Sequence, residues 1–199
     1  MHFYRTFSSL SLAILVGAFC VGDRAQANPI VDQLNAGTDG SISFGGDYLW
    51  QSFRQSADNI SGAGILLYSN SSNGPRVLSI GVFSANPSIS PGSLLATGTV
   101  SATVGNWADV FWSPVNLTQG ATYYLGVLPI SPLNSDFQLY FTINDKYANG
   151  LMGFGSSPVA PGYDLTFRTY SSVPENAATL TLVGLALIGF VVVRRRVSS

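Results

Sequence analysis

Between residues 28 and 172 the chain alternates apolar and polar positions in short runs, and no stretch places its apolar residues at helical spacing. A period of two is the signature of a strand with one face buried. The pattern predicts strands at Ile60–Tyr68, Arg76–Phe83, Leu94–Val104, Trp107–Trp112, Tyr123–Leu128, Phe137–Ile143 and Asp164–Tyr170, with shorter ones at Ser41–Phe44 and Tyr48–Phe53. The connections carry turn residues: Asn73-Gly74-Pro75, Asn86-Pro87, Ser90-Pro91-Gly92, Gly105-Asn106, Gln119-Gly120 and Pro161-Gly162. About nine short strands cannot stay in one open sheet without leaving an apolar face in water, so the expected architecture is all-β, a two-sheet antiparallel sandwich of jelly-roll-like form. Alternation also assigns faces. Leu78, Ile80 and Val82 point inward opposite Ser79 and Gly81, and Phe137, Leu139, Phe141 and Ile143 share one side of their strand.

The two ends read differently. Arg5, the apolar run Leu10–Val21 and the small-x-small site Ala25-Gln26-Ala27 form a secretory signal peptide over residues 1–27, with signal peptidase cutting after Ala27. Phe19 stands where a lipoprotein signal needs a small residue, so Cys20 reads as one more apolar position of that segment. His2 and Cys20 are the only histidine and cysteine, and the cleaved chain has neither. That excludes disulfides, Cys/His zinc sites, cysteine nucleophiles and Ser-His-Asp triads together.

At the other end, residues 177–193 run AATLTLVGLALIGFVVV without a charge, and Arg194, Arg195 and Arg196 follow. A helix of that length reaches about 25 Å, just enough to cross a bilayer core. The basic triplet acts as a stop that stays on the cytoplasmic side and leaves the preceding domain outside. The expected organisation is a signal peptide at 1–27, an extracellular sandwich at 28–172 and a sorting segment at 173–199, containing a single transmembrane helix about 177–193 and the basic tail 194–196.

The order Val173-Pro174-Glu175, apolar helix, arginine cluster resembles the PEP-CTERM sorting signal of Gram-negative bacteria. The family motif is usually Pro-Glu-Pro, where this chain has Pro174-Glu175-Asn176. The resemblance implies that exosortase, an integral-membrane cysteine protease, recognises Val173, Pro174 and Glu175 and passes the inner-membrane precursor to the cell surface or extracellular matrix. The body resembles uncharacterised sandwich domains of such surface proteins through Gln51-Ser52-Phe53, Leu94-Leu95-Ala96-Thr97-Gly98, Trp107–Trp112, Leu117–Tyr124 and Leu165–Tyr170. This implies fold and location, and no activity.

Charge narrows the function. From residue 28 to 173 there are eight acids, all Asp, against Arg54, Arg76, Lys146 and Arg168, a net of −4. Nucleic-acid binding needs a basic stripe, and there is none. The aspartates are scattered, with Asp39, Asp58 and Asp145 in turn-like contexts, so no paired acid and base stand out for hydrolysis. The chain is therefore expected to be no enzyme, with no catalytic residues, cofactor or metal. Two roles remain: a structural or interaction protein of the surface matrix or biofilm, and a carbohydrate-binding module held at the envelope. For the second, aromatic rings stack on sugar C–H groups, and Trp50, Trp107 and Tyr140 are the leading stacking candidates, from a pool that includes Trp112, Tyr147 and Tyr163. Alternation sets Trp107, Asp109 and Phe111 on one face of their strand and Ala108, Val110 and Trp112 on the other, which leaves one tryptophan less buried.

Overall fold

The computed structural model describes residues 28–43, 48–68, 75–131, 138–159 and 161–173. The signal peptide with Ala25 and Ala27, the motif residues Pro174 and Glu175, the apolar segment and Arg194–Arg196 lie outside the described residues. Among those described, no helix is long and apolar enough to cross a membrane.

Residues 28–173 form one unit built of strands. In chain order these are β1 (Pro29–Asn35), β2 (Gly40–Ser43), β3 (Leu49–Arg54), β4 (Asn59–Leu66), β5 (Pro75–Phe83), β6 (Leu94–Thr103), β7 (Trp107–Asn116), β8 (Thr122–Ser131), β9 (Gln138–Thr142), β10 (Met152–Phe154), β11 (Ser157–Pro158), β12 (Asp164–Leu165) and β13 (Phe167–Ser172). One sheet has the order β1-β13-β4-β7 and another β11-β10-β3-β8-β5-β6. Every pairing is antiparallel, and the pairs nest: β5 with β6, β4 with β7, β3 with β8 and β1 with β13. The chain is thus a long hairpin folded over on itself, so that successive arms fall on opposite layers.

A third sheet, β12-β9-β2, was not anticipated as separate. It splits off at Thr166, where the chain bends between β12 and β13. There the Thr166 N–H donates to Tyr140 O, its carbonyl accepts from Leu66 N, and its hydroxyl reaches Gly37 O. The bridge between Leu67 and Leu139 links the small sheet to the end of β4.

All three sheets contribute to one apolar core. Leu49, Phe53, Leu78, Ile80, Val82, Leu125 and Val127 come from the six-stranded sheet, Ile60, Ala63, Ile65, Ala108 and Phe167 from the four-stranded one, and Leu139 and Leu165 from the smallest. The alternation assigned Leu78, Ile80 and Val82 correctly, and each fully buried side chain of this size stabilises by about 1.5–3 kcal/mol. Leu139 and Phe141 also face the core, whereas Ile143 lies past the end of β9 and is exposed.

Three strands escape the pattern. In β1 a bulge between Val31 and Gln33 breaks the alternation, and Val31 and Leu34 project to solvent from a sheet edge. The hairpin of β10 and β11 is too short to show a period. By contrast, the turns at Gln119-Gly120 and Pro161-Gly162 are as expected, with Gly120 and Gly162 at φ of 75° and 86°, where a side chain would be strained.

Polar side chains cross the core between layers. Gln51, fully buried in β3, donates from Nε2 to Asp164 Oδ1 at 3.0 Å and accepts from Leu165 N at 2.7 Å. Gln55 accepts from Thr169 Oγ1 at 3.1 Å and donates to Asn59 O at 3.0 Å. Asn35 Nδ2 donates to Thr142 Oγ1 and Leu165 O, both at 2.8 Å. Each satisfies groups that would be costly to bury alone, and each fixes one register between the layers.

Candidate functional site

The three stacking candidates lie on three different sheets. Trp50 is on the outer side of β3, yet is only 3% exposed. Its strand neighbours are Gly153 and Gly126, and its ring lies over Gly153, where an added Cβ would come within 2.0 Å of the indole. Tyr124 packs edge-on against it at 5.6 Å, and its N–H donates to Gly155 O at 2.8 Å. Trp50 therefore holds the β10–β11 hairpin against the sheet and offers no face to a sugar. Tyr140, on β9, is half-buried and meets Tyr68 edge-on at 5.1 Å. Only Trp107 belongs to a larger surface assembly.

That assembly spans the outer face of the four-stranded sheet. Asp109 on β7, Gly64 on β4 and Arg168 on β13 stand in one row, and Phe111, Gly62 and Tyr170 in the next. The two glycines leave a trough along β4. A Cβ at Gly64 would lie 2.0 Å from Asp109 Oδ1, and one at Gly62 would lie 2.7 Å from the Phe111 ring. Across the trough Arg168 Nε donates to Asp109 Oδ1 at 2.8 Å, and its Nη2 pairs with Oδ2. The guanidinium lies 4.2 Å from the centre of the Trp107 ring. Tyr170 donates its hydroxyl to Asp109 Oδ1 at 2.9 Å, and its ring centre is 4.9 Å from that of Phe111.

Electrostatics follow from these contacts. The Asp109 carboxylate holds the Arg168 guanidinium even further above its ordinary range, and burial, then the same carboxylate, push the Tyr170 hydroxyl well above its usual value. Both groups stay protonated at any physiological pH and act as fixed donors.

Of the paired tryptophans, Trp112 packs against the core and donates its N–H to Ile60 O at 3.2 Å, while Trp107 is sheltered by Arg168. Both are half-buried; the aromatic ring that β7 presents to solvent is Phe111, 54% exposed. Beyond Tyr170 the row continues to the exposed Val31 of β1, and beyond Arg168 to the exposed Leu34. The face is an apolar and aromatic surface with a neutralised ion pair at its centre, suited to stacking on a saccharide or packing against another surface. Phe111, Tyr170 and Arg168 were not singled out from sequence; the spacing Gly62-x-Gly64 inside a strand was the available signal.

A carboxyl with an acid's raised pKa does exist, at Asp164, but it is not a surface group. It is 0% exposed, with Oδ1 accepting from Gln51 and Oδ2 from Tyr147 N at 3.1 Å, and burial raises its pKa against those two bonds. A substrate cannot reach it; it ties the loop after β9 to β3. Among the described residues no group of three or more His, Cys, Asp or Glu side chains is placed to hold a metal ion. Val173, the one described residue of the sorting motif, is 57% exposed just past the last strand.

No protein-family model matches the chain, and no curated protein matches it.

Proposed function

We propose that this chain is an exported protein, sorted by a PEP-CTERM-like tail to the surface or extracellular matrix of a Gram-negative bacterium, where its body serves as a structural or interaction module rather than an enzyme. Signal peptidase removes residues 1–27, the helix about 177–193 holds the precursor in the inner membrane with Arg194–Arg196 inside, and exosortase processes the chain near Val173-Pro174-Glu175. The observation that carries this reading is the junction: β13 ends at Ser172, and the motif begins with the next residue. A protease acting there would release a body that carries every described strand. The nested strand pairs support a jelly-roll-like body, since a rolled-up long hairpin is how two Greek keys arise.

The test replaces Pro174 and Glu175 with Ala and follows cell fractions. Full-length precursor should accumulate in the inner membrane with loss of the surface form; unchanged processing and surface yield would remove the sorting role.

A second reading, an envelope-held carbohydrate-binding module, is favoured by one observation. The exposed Phe111 ring lies against the buried Tyr170 and beside the half-buried Trp107, Arg168 and Asp109, which puts one stacking ring among polar groups that sugar hydroxyls require.

A further inference from the structure

A second surface feature lies where the end of β3, the turn before β8 and the loop after β9 meet. Here Gln33, Arg54, Gln55, Ser56, Gln119, Gly120 and Asn149 line an open pocket of about 290 Å³. Small-molecule sites begin at about 300 Å³, so the space suits a single sugar ring or a small acid rather than a larger ligand.

The walls are held from behind. Gly120 N donates to Gln55 O at 2.9 Å, and the fully buried Gln55 side chain is fixed by Thr169 and Asn59. The Tyr147 hydroxyl donates to Gln33 Oε1 at 2.9 Å and accepts the Arg54 backbone N–H at 3.2 Å. The loop carrying Asn149 is pinned to β3 by Ser52, whose N–H donates to Leu151 O and whose Oγ accepts from Leu151 N, both at 2.9 Å. A site whose frame is already ordered loses little conformational entropy on binding.

Its charge is distinctive. Among the described cationic side chains, Lys146 is paired with Asp39 and Arg168 with Asp109, while Arg54 has no described carboxylate within ion-pair distance. The acid beside the pocket, Asp32, is committed elsewhere: Oδ1 accepts from Ser56 Oγ at 2.5 Å and Ala57 N at 3.1 Å, and Oδ2 from Ser56 N at 3.0 Å and Gln33 Nε2 at 2.9 Å. In a body of net −4, an exposed guanidinium bordered by the amides of Gln119 and Asn149 is a place for one carboxylate with hydroxyls around it. The planar fork of arginine matches a carboxylate in two parallel hydrogen bonds, and amides serve hydroxyls as donor or acceptor.

We infer that this pocket binds the carboxylate-bearing ring of an acidic sugar, a uronic acid residue, with Arg54 holding the carboxylate. The inference needs neither the sorting tail nor the aromatic face, which is a different surface.

The test is calorimetric titration of the full chain in detergent with glucuronate, glucose and acetate, on wild type, Arg54→Gln, Arg54→Lys and Phe111→Ala. Glucuronate should bind at least about tenfold more tightly than glucose or acetate. Arg54→Gln should weaken it about tenfold or more, Arg54→Lys should fall between, and Phe111→Ala should leave it unchanged. Arg54 is exposed, so an unshifted melting temperature in both Arg54 variants will show that the fold is intact. Glucose equal to glucuronate, binding indifferent to Arg54, or no uptake of glucuronate overturns the inference. Acetate equal to glucuronate overturns the sugar assignment. Glucuronate binding lost in Phe111→Ala and kept in Arg54→Gln would move the ligand to the aromatic face.

Discussion

Arg168 and Asp109 meet across a strand that separates them. Their strands, β13 and β7, both pair with β4, and the ion pair closes over Gly64. An exposed pair of this kind contributes about 0–1 kcal/mol, but here both side chains are 23% exposed, the contact is bidentate and Trp107 lies under the guanidinium. The glycine is what allows the approach.

Gly64→Ala should therefore lower stability by about 1–3 kcal/mol, because its Cβ meets Asp109 and, at 3.2 Å, Arg168 Cγ. Urea unfolding checks this, and a double-mutant cycle with Asp109→Ala, which removes the clashing carboxylate, tests the cause. The loss should be mostly absent in the Asp109→Ala background; an equal loss there would place the strain in the backbone.

The two aromatic residues on outer faces should behave oppositely. Trp50→Ala should cost about 3–5 kcal/mol and release the β10–β11 hairpin, since the ring is buried over Gly153. Phe111→Ala, at 54% exposure, should change stability by less than about 1 kcal/mol. Thermal melts of the two variants decide, and similar losses would refute the contrast.

On a glycan array, Phe111→Ala and Trp107→Ala should each abolish saturable binding to whichever sugars the wild type retains through the aromatic face. A wild type that binds no glycan, or variants that bind as well, would remove the sugar-stacking role of this face.

Asp164 sets a pH dependence opposite to that of a surface carboxylate. Burial raises its folded pKa above the ordinary 3.8, so the unfolded chain ionises first as pH rises. Its favourable contribution is fully present below pH 3.8 and is lost as pH rises through the folded value. Relative to Asp164→Asn, which cannot titrate, wild type should become progressively less stable from about pH 3 upward and then level off. Urea midpoints over that range provide the check, and a constant difference between the two proteins would show that the carboxyl does not titrate differently on folding.

Strand β5 was legible in its core face because alternate side chains are the ones it buries. Once β5 packs on the core, Leu78, Ile80 and Val82 have to recur at every second position, and that requirement is written locally. The edge strand β1 and the short hairpin of β10 and β11 were illegible because solvent on one side and a bulge or brevity on the other remove the period.

The candidate sites were less readable still. Trp50 and Trp107 look alike as isolated aromatic residues within strands; only the pairing of β3 with Gly153 buries the first, and only the neighbouring Arg168 shelters the second. The pocket at Arg54 joins residues from β1, the end of β3, the turn before β8 and the loop after β9, far apart in the chain. What the amino-acid order determined by itself is the class of the body, all-β and antiparallel, together with its core faces and turns, because hydrophobic burial and turn stereochemistry act over a few neighbouring residues. The tertiary structure alone decided which aromatic residues are covered, which charges are paired and where an uncommitted cation faces a cavity, because those depend on which distant strands the folded hairpin brings side by side.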